Sequence, residues 1–133
     1  MLKQLVTDNP YILDDEIYTS VYFIIKSYTV LKEKYQNILD SSPPTIKETQ
    51  ITTYNKDQVN PTEQKAIKLS RMSDNINAIE QAQLVIPVPF RKGVFDNIVF
   101  GTVYPMNEWR RRSDWDKWKA LYVYTVADIL HFV

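Results

Sequence analysis

The chain has no cysteine, one histidine and two glycines in its 133 residues. Without cysteine there is neither a disulfide nor a cysteine-rich zinc site. His131 alone cannot build a histidine-based metal site or a catalytic triad, and it reads as a partly exposed terminal residue. Gly93 and Gly101 have no lysine at phosphate-loop spacing and make no phosphate cradle. Long apolar runs are missing too. The longest, within IYTSVYFIIKSY, is far short of the roughly 20 residues that a membrane span needs. The N-terminal MLKQLVTDNPYILDDE lacks the basic start, apolar centre and cleavage site of a signal peptide. Net charge is absent as well, with 16 basic against 16 acidic residues, which argues against a general nucleic-acid binder. No nucleophile–base constellation is visible. The expectation is a cytoplasmic non-enzyme without membrane contact, metal or cofactor.

What is present is enough apolar material for one core, 44% hydrophobic and 13% aromatic, in a chain of one-domain length. Charge is distributed unevenly. Residues 1–62 hold six lysines against eight acids, and residues 63–133 hold ten basic against eight acidic residues. Between 91 and 119, Arg91, Lys92, Arg110, Arg111, Arg112, Lys117 and Lys119 stand against Asp96, Glu108, Asp114 and Asp116, a local excess of +3.

Periodicity predicts helices throughout. Ile17, Val21, Ile24, Tyr28, Leu31, Tyr35 and Ile38 recur at intervals of 4, 3, 4, 3, 4 and 3, which predicts one long amphipathic helix over 12–39. Tyr18, Tyr22 and Ile25 widen its stripe. Two readings stay open: a core helix, or a self-pairing coiled-coil helix dimerising through Ile17, Val21, Ile24, Tyr28 and Leu31. Asp14, Asp15 and Glu16 suit the positive end of that helix better than they suit a metal or acid–base cluster. Residues 40–59 contain Pro43-Pro44 and no sustained period, so they read as a linker. A second helix over 60–84 opens with Asn60 as cap, Pro61 at the first position and Glu63 in capping-box register. Leu69, Met72, Ile76 and Ile79 line it, flanked by Ala66 and Ala82. The two helices are expected to pair as a hairpin.

The segment 87–133 holds both glycines, all three tryptophans and the run Arg110-Arg111-Arg112. Phe90, Val94 and Ile98, with Phe95 and Val99, predict a helix ending at Gly101. Gly93 inside it weakens the helix, and allows a close approach or marks a boundary. A turn over 102–107 and a last helix from Ser113, capped with Asp116, complete a helix–turn–helix pattern. Trp118, Leu121, Tyr122, Val126, Ile129 and Val133 form the inner face. On this reading Arg110, Arg111 and Arg112 approach DNA phosphates, Lys117 and Lys119 follow on the outer face, and Trp115 and Asp116 meet base edges. The bland alternative is a solvated surface turn. Trp109 and Trp115 divide between packing and an exposed interaction surface, and Asp114 and Asp116 would oppose phosphate.

The segments NPTEQKAIKLS, IPVPFRKGVFDNIVFGTVYP and SDWDKWKALYVYTVADILHFV together resemble the RinA, ArpU and LtrC-like late regulators of phages of Gram-positive bacteria. The first resembles their D-P-T-x-x-K-A-x-x-L stretch, and the last resembles their terminal T/S-x-x-x-x-K-x-x-F-I-Y-x-V-A-x-x-L helix. The likeness covers about half the chain and leaves out the N-terminal helix. It implies a helix–turn–helix akin to sigma-factor region 4 and activation of late phage genes. Ser113, Trp115, Asp116, Lys117, Trp118 and Lys119 match its recognition helix, while Asp114, Asp116 and Asp128 depart from the usual neutral or basic residues.

The expectation is therefore a single all-α domain over 1–133, a helical hairpin followed by a helix–turn–helix module at 87–133. It is read as a sequence-specific DNA-binding transcriptional regulator, acting as a homodimer on double-stranded DNA with Arg91, Lys92 and Ser113 beside the residues above. The alternative is a module that binds host RNA polymerase or another host protein, anchored on Trp109, Trp115 and the arginines.

Overall fold

A computed structural model of the chain describes residues 11–40, 61–106 and 110–133. The expected linker, the Asn60 cap and Trp109 fall outside the described residues, apart from Asp40. The protein is all-α. Its helices are α1 (Asp15–Lys26), α2 (Tyr28–Asp40), α3 (Pro61–Ala82), α4 (Val88–Phe100) and α5 (Arg112–Ile129), with a 3-10 turn at Gln83–Val85 between α3 and α4. Among the described residues, no helix is long and apolar enough to cross a membrane.

The expected single helix over 12–39 is two helices divided at Ser27. The Ser27 hydroxyl donates to the Phe23 carbonyl at 2.7 Å. Its amide is shared between the Phe23 and Ile24 carbonyls at 3.0 and 3.2 Å. A serine bonding back to the preceding turn competes with the helical ladder and bends the axis.

The buried line of α1 is Tyr18, Val21 and Ile25, the widened flank of the predicted stripe, because α1 packs against both α4 and α5 and must bury a wide face. Val21 is wholly inside this core, so the dimerisation reading is corrected there: it has no surface left for a second copy. Ile17, Ile24, Tyr28 and Leu31 are half-buried against the same core.

α2 buries no residue completely. It lies along α3, and its first turns meet the end of that helix, where Tyr28 donates to Glu80 and Lys32 pairs with the same carboxylate at 3.4 Å.

On α3, Met72, Ile76 and Ile79 are buried as the spacing predicts, while Leu69 is half-buried and Ala66 is exposed. Ala78 and Ala82 are fully buried. These small residues let α5 come close enough for the Tyr122 hydroxyl to donate to the Ile79 carbonyl at 2.9 Å. Pro89 sits in the first turn of α4, where a missing amide costs nothing. Gly101 ends α4 at φ 69°, the left-handed conformation that glycine adopts without penalty.

At the other end of α5, His131 takes the same conformation at φ 66°. The His131 amide donates to Asp128 at 3.1 Å and the Phe132 amide to Ala127 at 2.8 Å, which is a Schellman closure.

Candidate nucleic-acid interface

Residues 101–111 join α4 to α5. Residues 101–106, the described part of the expected turn over 102–107 with the residue before it, are non-helical. The cap is corrected. Ser113 is exposed in the first turn, and Arg111 occupies the cap position. Its amide donates to the Asp114 carboxylate at 3.3 Å. An arginine side chain has no acceptor, so this carboxylate makes the capping contact alone.

The largest correction concerns Trp115. It is 0% exposed and cannot meet a base edge. Tyr104 stacks on it at 4.9 Å with 9° between the planes, and Phe90 meets it edge-on at 4.8 Å and 72°. Gly93 of α4 lies directly against its ring: a Cβ there would be 2.6 Å from Cζ3 and 2.7 Å from Cη2. Trp115 is thus the clamp that fastens both α4 and the 101–106 segment to the start of α5. Its indole N–H and the Tyr104 hydroxyl have no hydrogen-bond partner among the described residues. Trp118, expected in the core, is half-buried against it, 6.1 Å from Phe90.

Around this clamp the predicted cations divide into two groups. Arg91 turns inward, its Nε and Nη2 donating to the Ile86 carbonyl at 3.3 and 3.0 Å. Lys119 also turns inward. It donates to Asn97 Oδ1 at 2.8 Å and lies 5.1 Å over the Tyr22 ring. Burial pulls its amine below the usual lysine range, and Arg112 adds to the fall while Asp116 opposes it. Neither residue is placed to meet phosphate.

The remaining cations look outward. Arg110 lies over Phe90 and Trp115 at 5.7 and 5.8 Å, half-buried. Arg111 and Lys117 are exposed, with Lys117 4.9 Å over the Trp118 ring. Arg112 lies 5.3 Å over Tyr104 and pairs with Asp116 at 3.2 Å. Lys92, on α4, is paired with Asp96 at 2.7 Å and is well exposed. An exposed pair such as Lys92–Asp96 contributes roughly 0–1 kcal/mol and exchanges readily.

The two aspartates of the first turns of α5 are placed differently. Asp116 is 12% exposed and lies on the side of Tyr18 and Tyr104, which feel its charge. Burial, then Tyr22 and Asp116, push the Tyr18 phenol up to about 12. Burial and Asp116 raise Tyr104 as well. Asp114 is tied to the helix start. Asp116 is thus largely withdrawn from the surface, whereas Asp114 stays beside Arg111 at the helix start.

A cavity of about 320 Å³, lined by Asp74, Asn77, Gln81 and His131 with Ala78, Ile129 and Leu130, opens between α3 and the end of α5, and no predicted DNA-contacting residue lines it. No cluster of three or more potential metal-ligating His, Asp or Glu residues occurs among the described residues. Comparison with known proteins returns no match: no family model, curated protein or solved structure resembles the chain at a significant level.

Proposed function

We propose that the chain is a DNA-binding regulator that grips duplex DNA by its phosphates at the start of α5. One observation carries the reading. Arg110 lies over Phe90 and Trp115, Arg112 over Tyr104 and Lys117 over Trp118, with Arg111 exposed beside them, while Asp116 is largely covered and Asp114 is engaged by the Arg111 amide. Phosphate contacts position a protein on DNA, and base contacts supply sequence information. With Trp115 buried, this end has cations for the first task and few side chains for the second. The proposed binding is accordingly dominated by the backbone and steeply salt-dependent. Control of late phage transcription is what the family resemblance adds to it.

The test is the salt dependence of binding to a labelled DNA duplex. Each phosphate contact contributes about 0.9 to the slope of log affinity against log salt. Arg111→Ala and Lys117→Ala should each lower the affinity and flatten that slope by about 0.9, with helix content unchanged. Wild-type protein that binds no duplex at low salt would overturn the reading.

A second reading has its own observation. Leu84, Val85 and Val88, at the α3–α4 connection, are exposed apolar residues close together in sequence, with Val88 71% exposed. A protein partner seated there would be lost on Val88→Asp and would respond little to salt.

A further inference from the structure

We infer that Asp116 is a positioning residue: it holds the Arg112 guanidinium in a preset orientation for a DNA phosphate, so that a negative charge at the binding end strengthens anion binding. The inference rests on the phosphate-binding reading above and deepens it.

Arg112 is held on two sides. Its Nε donates to Asp116 Oδ1 at 3.2 Å, and the guanidinium carbon lies over the Tyr104 ring, 5.3 Å from its centroid. Tyr104 cannot shift, because it is itself stacked on the fully buried Trp115. An arginine has five N–H donors in a planar fork. Engaging Nε alone leaves the two terminal nitrogens, which form the edge that meets a phosphate bidentately. The Arg112 side chain is 64% exposed, so that edge is accessible to a ligand.

The carboxylate is placed differently. Asp116 lies one helical turn behind Arg112, largely covered, with Tyr18, Tyr104 and Lys119 as its other electrostatic neighbours. A phosphate approaching Arg112 meets the guanidinium first and the carboxylate only through it. Immobilising a long side chain before binding removes an ordering cost that would otherwise weaken the complex. An unheld lysine or arginine at the same place would bear that cost.

The geometry makes a prediction opposite in sign to simple charge counting. If Asp116 were only a repelling charge, Asp116→Asn would tighten DNA binding. As a positioning residue it should weaken binding by roughly two- to tenfold, even though the protein becomes more positive. The experiment titrates wild type, Asp116→Asn, Arg112→Ala, the double variant and Arg112→Lys against a mixed-sequence DNA duplex at one moderate salt concentration. Circular dichroism verifies that each variant is folded. Arg112→Lys keeps the charge on an exposed side chain without the planar fork, so it covers the case in which a change at the more buried Asp116 disturbs the fold.

The expected result is weaker binding for Asp116→Asn and for Arg112→Lys, with Asp116→Asn producing no further loss once Arg112 is alanine. Tighter or unchanged binding in Asp116→Asn, with Arg112→Ala still weakened, overturns the inference and leaves the phosphate-binding reading standing. An equal loss from Asp116→Asn with and without Arg112 overturns it as well, since the effect then does not act through the arginine. Absence of wild-type binding removes both.

Discussion

Gly93 and Trp115 share one space. The indole ring of Trp115 lies where a side chain at position 93 would begin, with Cζ3 2.6 Å and Cη2 2.7 Å from a Cβ built there. Trp115 has nowhere to move, being fully buried between Tyr104 and Phe90. Overpacking of a rigid core costs about 1–3 kcal/mol, whereas alanine gains about 1 kcal/mol over glycine in a helix. The clash wins. Gly93→Ala should lower the unfolding free energy by up to roughly 2 kcal/mol in a denaturant titration followed by tryptophan fluorescence. A gain in stability would mean that the clamp is looser than its geometry states.

Alkaline pH should unfold the protein early. Tyr18, Tyr22, Tyr28, Tyr104 and Tyr122 are all raised above the ordinary 10.0, with burial the leading cause in each. The folded state therefore keeps phenolic protons that the unfolded chain releases. Their stabilisation is fully present below pH 10 and is lost as pH rises through the folded values, about 12 for Tyr18. Lys119 acts in the opposite sense, because its folded value is lowered. Its penalty fades as pH approaches the ordinary 10.5, but it is one group against the five phenols and Lys32, which Tyr28 and Glu80 hold above the ordinary lysine value. Ionisation of these five phenols and loss of helix signal should occur together above pH 10. Tyrosinate absorbance exceeding what four of the nine tyrosines account for, with the helix signal intact, would contradict the burial of these rings.

His131 occupies a left-handed conformation that costs an L-residue about 1–2 kcal/mol. The Schellman bonds to Asp128 and Ala127 need that backbone and make no use of the imidazole. Glycine removes the steric cost and adds chain entropy to the unfolded state. His131→Gly should raise the thermal midpoint, by a net gain of roughly 0.5–1 kcal/mol. A fall on scanning calorimetry would reveal a stabilising contact made by the imidazole.

Local signals in the sequence carried much of this fold. The helix over 60–84, the helix ending at Gly101 and the last helix beginning near Ser113 could all be read from apolar spacing, and the end of the second from its glycine cap, because both are properties of neighbouring residues. What could not be read depends on partners far along the chain. Trp115 is buried because Gly93, 22 positions earlier, leaves room for it, and spacing within α5 does not report that gap. Lys119 turns inward because Asn97 on another helix offers it an acceptor. The break at Ser27 arises from a hydroxyl competing for a carbonyl, which leaves the apolar period unchanged and so is invisible to it. At the binding end, the cations were identifiable by type. Which of them face outward, and that Asp116 sits behind Arg112, required the packing.

The division at Ser27 also sets how the molecule comes apart. α1 contributes Tyr18, Val21 and Ile25 to the interior, whereas α2 contributes no fully buried side chain and is tied to α3 through Tyr28, Lys32 and Glu80. With no fully buried side chain on α2, its opening does not require α1 to follow. The chain therefore has two thresholds of opening, a shallow one at which the outer helix lifts from α3 and a deep one at which the Trp115 clamp and the core around it dissolve together.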